Sequence, residues 1–352
     1  MSTLVQKIAK QFTRATIKKI TPLGNGLIND TFLVHTEGSC FVLQRINTQV
    51  FPAPHLIMEN LSALKDHIKV TRHTAVKLSI PSVLKTVDQQ AYYLDQESCF
   101  WRSLEFIDNS VSKEQISNHS QANQVGYALG HFHHLLHNAD ISLFHDTLPG
   151  FHITPKYFLH YQAVEKNQAN KIQSEKVRQC KDFIKRFEAK INNLEKAKQQ
   201  GLLTERITHG DPKLNNFLFA KNTDTIISLI DLDTVKPGLV HYDIADCLRS
   251  CCHIPHSNIL DLDLCEAILS PYLKETTTFF TEHDYAFLYS AIELIPFELG
   301  LRFFTDYLEG NQYFKVEFAE QNLERALAQF QLCENIKEQE KRIKQIIADS
   351  KT

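Results

Sequence analysis

The stretch ITHGDPKLNNFLFAKNTDTIISLIDLDTVKPG, residues 207–238, decides how the rest of the chain is read. It sets His209, Asp211 and Asn216 in the spacing H-x-D-x-x-x-x-N, and an apolar run over 225–230 then leads into Asp231 and Asp233. Phe217, Leu218 and Phe219 follow the polar group at once, so the pattern reads as a loop between two short strands, with carboxylates and an amide facing one point. Phosphoryl transfer needs a carboxylate to accept the substrate hydroxyl proton, and an amide with a second carboxylate to hold Mg2+ on the nucleotide phosphates. Asp211 fits the first part; Asn216 and Asp231 fit the second. The competing reading gives His209 and Asp211 a turn-capping role and makes Asp231 and Asp233 the ordinary start of a loop. The short motif alone arises often by chance. The strand that ends in Asp231, and the order of the other parts along the chain, favour the catalytic reading.

The chain has 352 residues, more than a single domain usually holds, so two lobes are expected. A formal net charge of −3 excludes a broadly basic surface for nucleic acid or anionic membrane. The start, MSTLVQKIAKQFT, lacks the apolar core of an export signal, and no run of about 18 apolar residues follows anywhere. Eight scattered cysteines without C-x-x-C spacing read as reduced thiols, which places the protein in the cytoplasm.

Upstream of the decisive stretch, apolar spacing predicts a short helix over 4–12 and a strand over 17–20. Gly24 and Gly26, with Asn25 between them, form a turn ahead of two strand-like runs, 32–34 and 41–43. Glycines let a backbone approach phosphate closely, although an isolated G-x-G also suits an ordinary hairpin. The second run continues into Gln44 and Arg45, where a nucleotide site needs a cation. Alternation sends only one of them into a cleft, and the residues leave open which. Glu59, on a helix expected over 55–67, is the candidate partner of that cation, set against a solvated helix glutamate. Strands over 79–84, 91–94 and 100–106 complete a sheet, and the segment through Glu105 and Ile107 is where a purine would be read. Beyond residue 108 the periodicity changes from two to 3.6, which divides a nucleotide-binding lobe, 1–108, from a catalytic and substrate-binding lobe, 109–352.

In the second part, helices are expected over 118–138, with Gly126 and Gly130 allowing close packing, and over 162–200 as one long charged element. His133 and His137 stand at i, i+4, but no carboxylate or cysteine nearby completes a zinc set, so packing roles win. Asp243 opens a helix near 240–252, either as a cap or as a buttress of the catalytic loop, and Asp246 and Arg249 pair at i, i+3. Asp261 and Asp263 mimic the earlier Asp-x-Asp without a strand before them. In the apolar stretch 284–314, Glu298, Arg302 and Asp306 recur every fourth residue, as a buried ion-pair ladder or as the wall of a cleft for a polar substrate. The end, 316–349, reads as one charged outer helix.

Taken together, GNGLINDTFLV (24–34), FVLQRINTQVF (41–51), LPGFHITPK (148–156), THGDPKLNN (208–216), LIDLDTVKPG (229–238), YDIADCLR (242–249) and ELGLRFFTDYL (298–308) resemble the aminoglycoside phosphotransferase and choline kinase superfamily. The similarity is greatest to bacterial N-acetylhexosamine 1-kinases. The resemblance spans nearly the whole chain and implies an α+β, protein-kinase-like fold: an antiparallel N-terminal sheet with a helix, then a mostly helical part. It implies ATP and Mg2+, a sugar partner, and phosphorylation of the anomeric hydroxyl of N-acetylglucosamine or N-acetylgalactosamine. Residue by residue, Asp211 becomes the catalytic base and Lys213 a neutraliser of the moving phosphoryl group. Asn216 and Asp231 become metal ligands assisted by Asp233, and Glu298 and Arg302 contact the sugar. Two positions depart from the pattern: Ile153 stands where a polar residue is common, and the phosphate-binding lysine is replaced within Gln44-Arg45. Other readings are a kinase of choline, homoserine or an aminoglycoside, and a catalytically inactive nucleotide-binding scaffold.

Overall fold

In the computed structural model, residues 3–24, 28–71, 78–168, 174–254 and 257–351 are described. The protein is α+β, with an antiparallel sheet at the N-terminal end and helices dominating afterwards. Its residues divide into two compact units. One contains 1–112, 139–149 and 217–237; the other contains 113–138, 150–216 and 238–352.

The first unit opens with α1 (Thr3–Ala9), followed by β1 (Ile17–Pro22), β2 (Asp30–Thr36), β3 (Cys40–Ile46) and α2 (Pro54–Thr71). After these come β4 (Val83–Leu84), β5 (Tyr93–Leu94), β6 (Phe100–Glu105) and β7 (Ser110–Val111). The sheet order is β1-β2-β3-β6-β4, with β5 also on β6, and every pairing is antiparallel. Alternation on β2 and β3 sends Val34, Phe41 and Leu43 to one face, where Val5, Ile8, Ala9 and Phe12 of the first segment pack with Trp101. The same unit takes in the hairpin β9 (Phe217–Ala220) and β10 (Ile226–Leu229), to which β7 adds a third antiparallel strand. Asn60 of α2 fixes this arrangement by donating to the carbonyls of His145 and Val235, both at 2.8 Å.

The second unit is built from α3 (His119–Leu136), α4 (Thr154–Gln168), α5 (Glu175–Phe187), α6 (Asn193–Gln199) and the strand β8 (Arg206–Thr208). It continues through α7 (Val240–Cys251), α8 (Leu262–Thr276), α9 (Glu282–Leu308), α10 (Gln321–Glu338) and α11 (Glu340–Asp349). The expected glycine contact is present: a Cβ on Gly126 would lie 1.9 Å from the Ile268 carbonyl oxygen, and one on Gly130 would lie 2.9 Å from that of Tyr272. Both glycines let α3 lie directly on α8.

Two expectations are corrected. The single helix over 162–200 is interrupted: Ser174 caps a new helix by accepting from Val177 N, and a 3-10 turn at Glu188–Lys190 separates α5 from α6. Charged residues favour helix along the whole segment, so composition concealed the cap. The end is likewise two helices, α10 and α11, and Leu323, Phe330, Ile336, Ile343 and Ile346 are buried in the core. Among the described residues, no helix is long and apolar enough to cross a membrane.

Candidate active site

The loop after β8 is held from beneath by one carboxylate. Asp243, fully buried in the first turn of α7, accepts from the backbone N–H of His209 at 2.6 Å and of Gly210 at 2.9 Å. His133 reaches the same carboxylate at 2.9 Å through Nε2, while its Nδ1 meets the Tyr272 hydroxyl at 3.0 Å. Burial works against the Asp243 charge, yet His133 and the loop amides outweigh it and hold the carboxyl below its ordinary value. Leu239 occupies the cap position of α7 without a side-chain bond, so Asp243 acts as the buttress. His133 is thereby committed, and His137 bonds the His134 carbonyl. Asp261 accepts from Asp263 N and Leu264 N and caps α8.

Gly210 takes φ +87°, a conformation that L side chains rarely adopt, and so turns the chain into Asp211. The side chain of Asn216 donates to the Asp211 carbonyl at 2.8 Å, which leaves the amide oxygen as an acceptor. Lys213 pairs with the Asp211 carboxylate, which is 30% exposed. Burial pushes the Asp211 carboxyl up and Asp246 adds to this, against the pull of Lys213 and Arg249.

Asp211 opens into a recess within the second unit. Asp246 and Arg249 of α7 and Glu298 and Arg302 of α9 line it, beside Phe151 and Ile295. Of the sugar candidates, Glu298 and Arg302 thus share one recess with Asp211. The stripe on α9 is not an ion-pair ladder, because each member has a different partner. Glu298 accepts from His152 Nδ1 at 2.9 Å and from the Thr154 hydroxyl at 2.7 Å. The Arg302 guanidinium lies 5.1–5.9 Å from the ring centres of Phe151, Tyr157, Tyr313 and Phe314, and no hydrogen-bond partner takes its N–H groups among the described residues. Asp306 accepts from the backbone N–H of Gln312, Tyr313 and Phe314 and from Asn322, and so shapes the loop that carries two of those rings.

Within the first unit, Gly24 has φ +71°, while Asn25 and Gly26 lie outside the described residues. Gln44 turns to the buried side: its oxygen accepts from Arg102 Nε at 3.0 Å and Nη2 at 2.7 Å, and its amide donates to the Thr31 hydroxyl. Arg45, on the opposite face, pairs with Asp30 in the open. Glu59 meets His145 at 3.0 Å, so it and Arg45 are each engaged elsewhere. Glu105 N donates to the Ser82 carbonyl at 2.8 Å while its carboxylate accepts from Ser82 N at 3.3 Å, and the Ile107 carbonyl accepts from the Ser110 hydroxyl at 2.6 Å as the chain leaves β6.

Asp231 takes a left-handed backbone, φ 63° and ψ 51°, at the start of the turn Leu232–Thr234, and its side chain is exposed. Asp233 is buried, with one oxygen on Arg102 and the other accepting from Asn29 Nδ2 at 2.9 Å. Arg102 is a residue that sequence reading missed. Its signal was a lone cation inside the apolar run Phe100–Glu105, directly opposite Gln44 in the strand register. His152 was also missed: it occurred only inside a quoted motif, and nothing local links it to Glu298, 146 positions away.

The phosphotransferase enzyme family (APH) matches residues 19–273, most of the chain, and the protein belongs to that family. The match ends before α9, so it says least about the helix that carries Glu298 and Arg302. Among solved structures, an aminoglycoside phosphotransferase from Alicyclobacillus acidocaldarius has a TM-score of 0.67 at 14% identity, over 97% of this chain and 96% of that one. A choline kinase from Cryptosporidium parvum Iowa II gives 0.59 at 16% identity, over 97% of each chain. A spectinomycin phosphotransferase solved with ADP and spectinomycin gives 0.59 at 12% identity, over 99% and 98%. At these identities the likeness is one of fold.

Proposed function

We propose that this member of the phosphotransferase enzyme family transfers the γ-phosphoryl group of ATP to the anomeric hydroxyl of an N-acetylhexosamine, giving the sugar 1-phosphate and ADP. The observation that carries the reading is the charge balance of the Asp211 cavity. The carboxylates of Asp211, Asp246 and Glu298 alternate there with the guanidinium groups of Arg249 and Arg302. Such a wall offers donors and acceptors to hydroxyls and an acetamide without the surplus of acid that a polycationic aminoglycoside calls for. A quaternary ammonium needs an open aromatic cage. Here the rings of Phe151, Tyr157, Tyr313 and Phe314 already surround Arg302.

In this reading Asp211 orients the C1 hydroxyl and takes its proton as the oxygen attacks phosphorus, a task suited to a carboxylate of raised basicity. Lys213, which pairs with Asp211, is assigned the offsetting of charge as the phosphoryl group moves. Asn216, whose amide oxygen is left as an acceptor, and Asp231, an exposed carboxylate, are both hard oxygen donors of the kind Mg2+ takes. That ion would neutralise charge on the nucleotide phosphates. Asp233, saturated by Arg102 and Asn29, takes the supporting part beside Asp231. The turn at Gly24, one of Gln44 and Arg45, Glu59, and the strand exit at Glu105 and Ile107 are assigned to nucleotide binding, as is the lobe 1–108 in which they lie. A cytoplasmic setting, where ATP is present and the eight free thiols stay reduced, belongs to the same reading.

The test is an ATP-consumption assay with Mg2+ over N-acetylglucosamine, N-acetylgalactosamine, glucose, choline, homoserine and aminoglycosides, with product location read by phosphorus NMR. Turnover of an N-acetylhexosamine to its 1-phosphate is expected. Preference for an amino alcohol or an aminoglycoside would overturn the reading.

A further inference from the structure

We infer that His152 is held as an imidazolium that locks the backbone just before Asp211 to Glu298 on the substrate helix, which makes it a positioning residue for the proposed reaction. The inference rests on the reading of Asp211 as the base.

The geometry leaves His152 little choice. Its Nδ1 lies 2.9 Å from Glu298 Oε1, and its Nε2 lies 2.9 Å from the carbonyl oxygen of Gly210. A carbonyl oxygen and an ionised carboxylate both only accept, whereas a neutral imidazole has one donor nitrogen and one acceptor nitrogen. A neutral His152 bonded to Gly210 would therefore turn a lone pair toward Glu298. The protonated ring donates at both ends. The Thr154 hydroxyl donates to the other Glu298 oxygen at 2.7 Å, in keeping with an ionised carboxylate there.

The surroundings support the charge. The ring is buried, stacked on Tyr242 at 5.8 Å and against Phe151 at 4.0 Å. Charged groups reach this region from each element around it: Asp246 and Arg249 on α7, Glu298 and Arg302 on α9, and Asp211 with Lys213 on the loop. Burial works against protonation, but Glu298, Asp246 and the Gly210 carbonyl together raise the His152 pKa above its ordinary value. The backbone of His152 sits at φ 61°, a left-handed conformation that a side chain keeps only where surrounding contacts enforce it. Deprotonation leaves one N–H for two acceptors, so either the Glu298 or the Gly210 link is lost and the tie between the loop and α9 opens.

Ring-nitrogen NMR on the intact 15N-labelled protein reads the charge directly and without turnover. His152 is expected to be doubly protonated at pH 7.5, and to titrate at lower pH in Glu298→Gln. A neutral ring at pH 7.5, or a titration unmoved by Glu298→Gln, would overturn the inference. In kinetics, His152→Gln keeps a donor for Gly210 and removes the titration. Sugar kcat/KM is expected to fall by about tenfold or more, the KM for ATP to stay within about twofold, and the alkaline limb of the profile to vanish. A wild-type pH profile with undiminished kcat/KM in that variant would also overturn it. If wild-type protein phosphorylates no sugar, the reading of Asp211 fails, while the ring NMR still decides whether His152 is charged.

Discussion

Burial raises the Asp211 pKa, as it does that of Asp233, while Asp243 and Asp246 on α7 are held below their ordinary values. A carboxyl whose pKa is raised costs stability once ionised, and enzymes accept that cost where a base is needed. Asp211→Asn is therefore expected to leave folding and nucleotide affinity near wild type. It should lower kcat by about two to four orders of magnitude, checked by steady-state kinetics beside calorimetric titration with ADP. Sequence spacing brought Asp211 and Asn216 together as candidates, because both lie within a few residues of one turn. Arg102 and His152 stayed hidden because their partners, Asp233 and Glu298, lie 131 and 146 positions away.

Among the elements, β6 buries a cation directly opposite Gln44 of β3. The side chain of Arg102 is 1% exposed between Gln44 and Asp233, and Nη1 has no hydrogen-bond partner among the described residues. Removing one member of such a pair strands the other charge in the interior. Arg102→Met is thus expected to cost about 3–5 kcal/mol in denaturant unfolding, and the addition of Asp233→Asn should recover part of it. The α3–α8 contact is equally direct. Gly126→Ala would drive a methyl group into the Ile268 carbonyl and should cost about 3 kcal/mol or more, since backbone must move. At Gly300 the obstacle is the Phe330 ring, so Gly300→Ala should be milder in the same unfolding assay. Periodicity revealed the helices themselves, while their ends depended on single caps such as Ser174 that a charged, helix-favouring stretch conceals.

Across the whole molecule, the buried ionisable groups set the pH range of stability. Asp243 and Asp246 have depressed pKa values, so their contribution is fully present above about pH 4 and is lost as pH falls through the folded values. His152 has a raised pKa, so its contribution is fully present below about pH 6.5 and is lost as pH rises through its folded value. These three groups place losses below about pH 4 and above about pH 6.5, while Asp211 and Asp233, raised by burial, and His241, lowered by it, act in the opposite sense. Denaturation midpoints measured against pH check this, with Asp243→Asn expected to flatten the acid flank and His152→Gln the alkaline one.

By itself the sequence determined the α+β order of strands before helices and the phosphotransferase family. Hydrophobic period and turn chemistry are properties of neighbours along the chain, and the family motifs are short. Only the tertiary structure decided that Gln44 faces inward to Arg102, that Asp243 supports the loop rather than its own helix, and that Glu298 and Arg302 part company on one helix face. Which donor meets which acceptor depends on distances across the fold, and spacing along the chain carries no record of them.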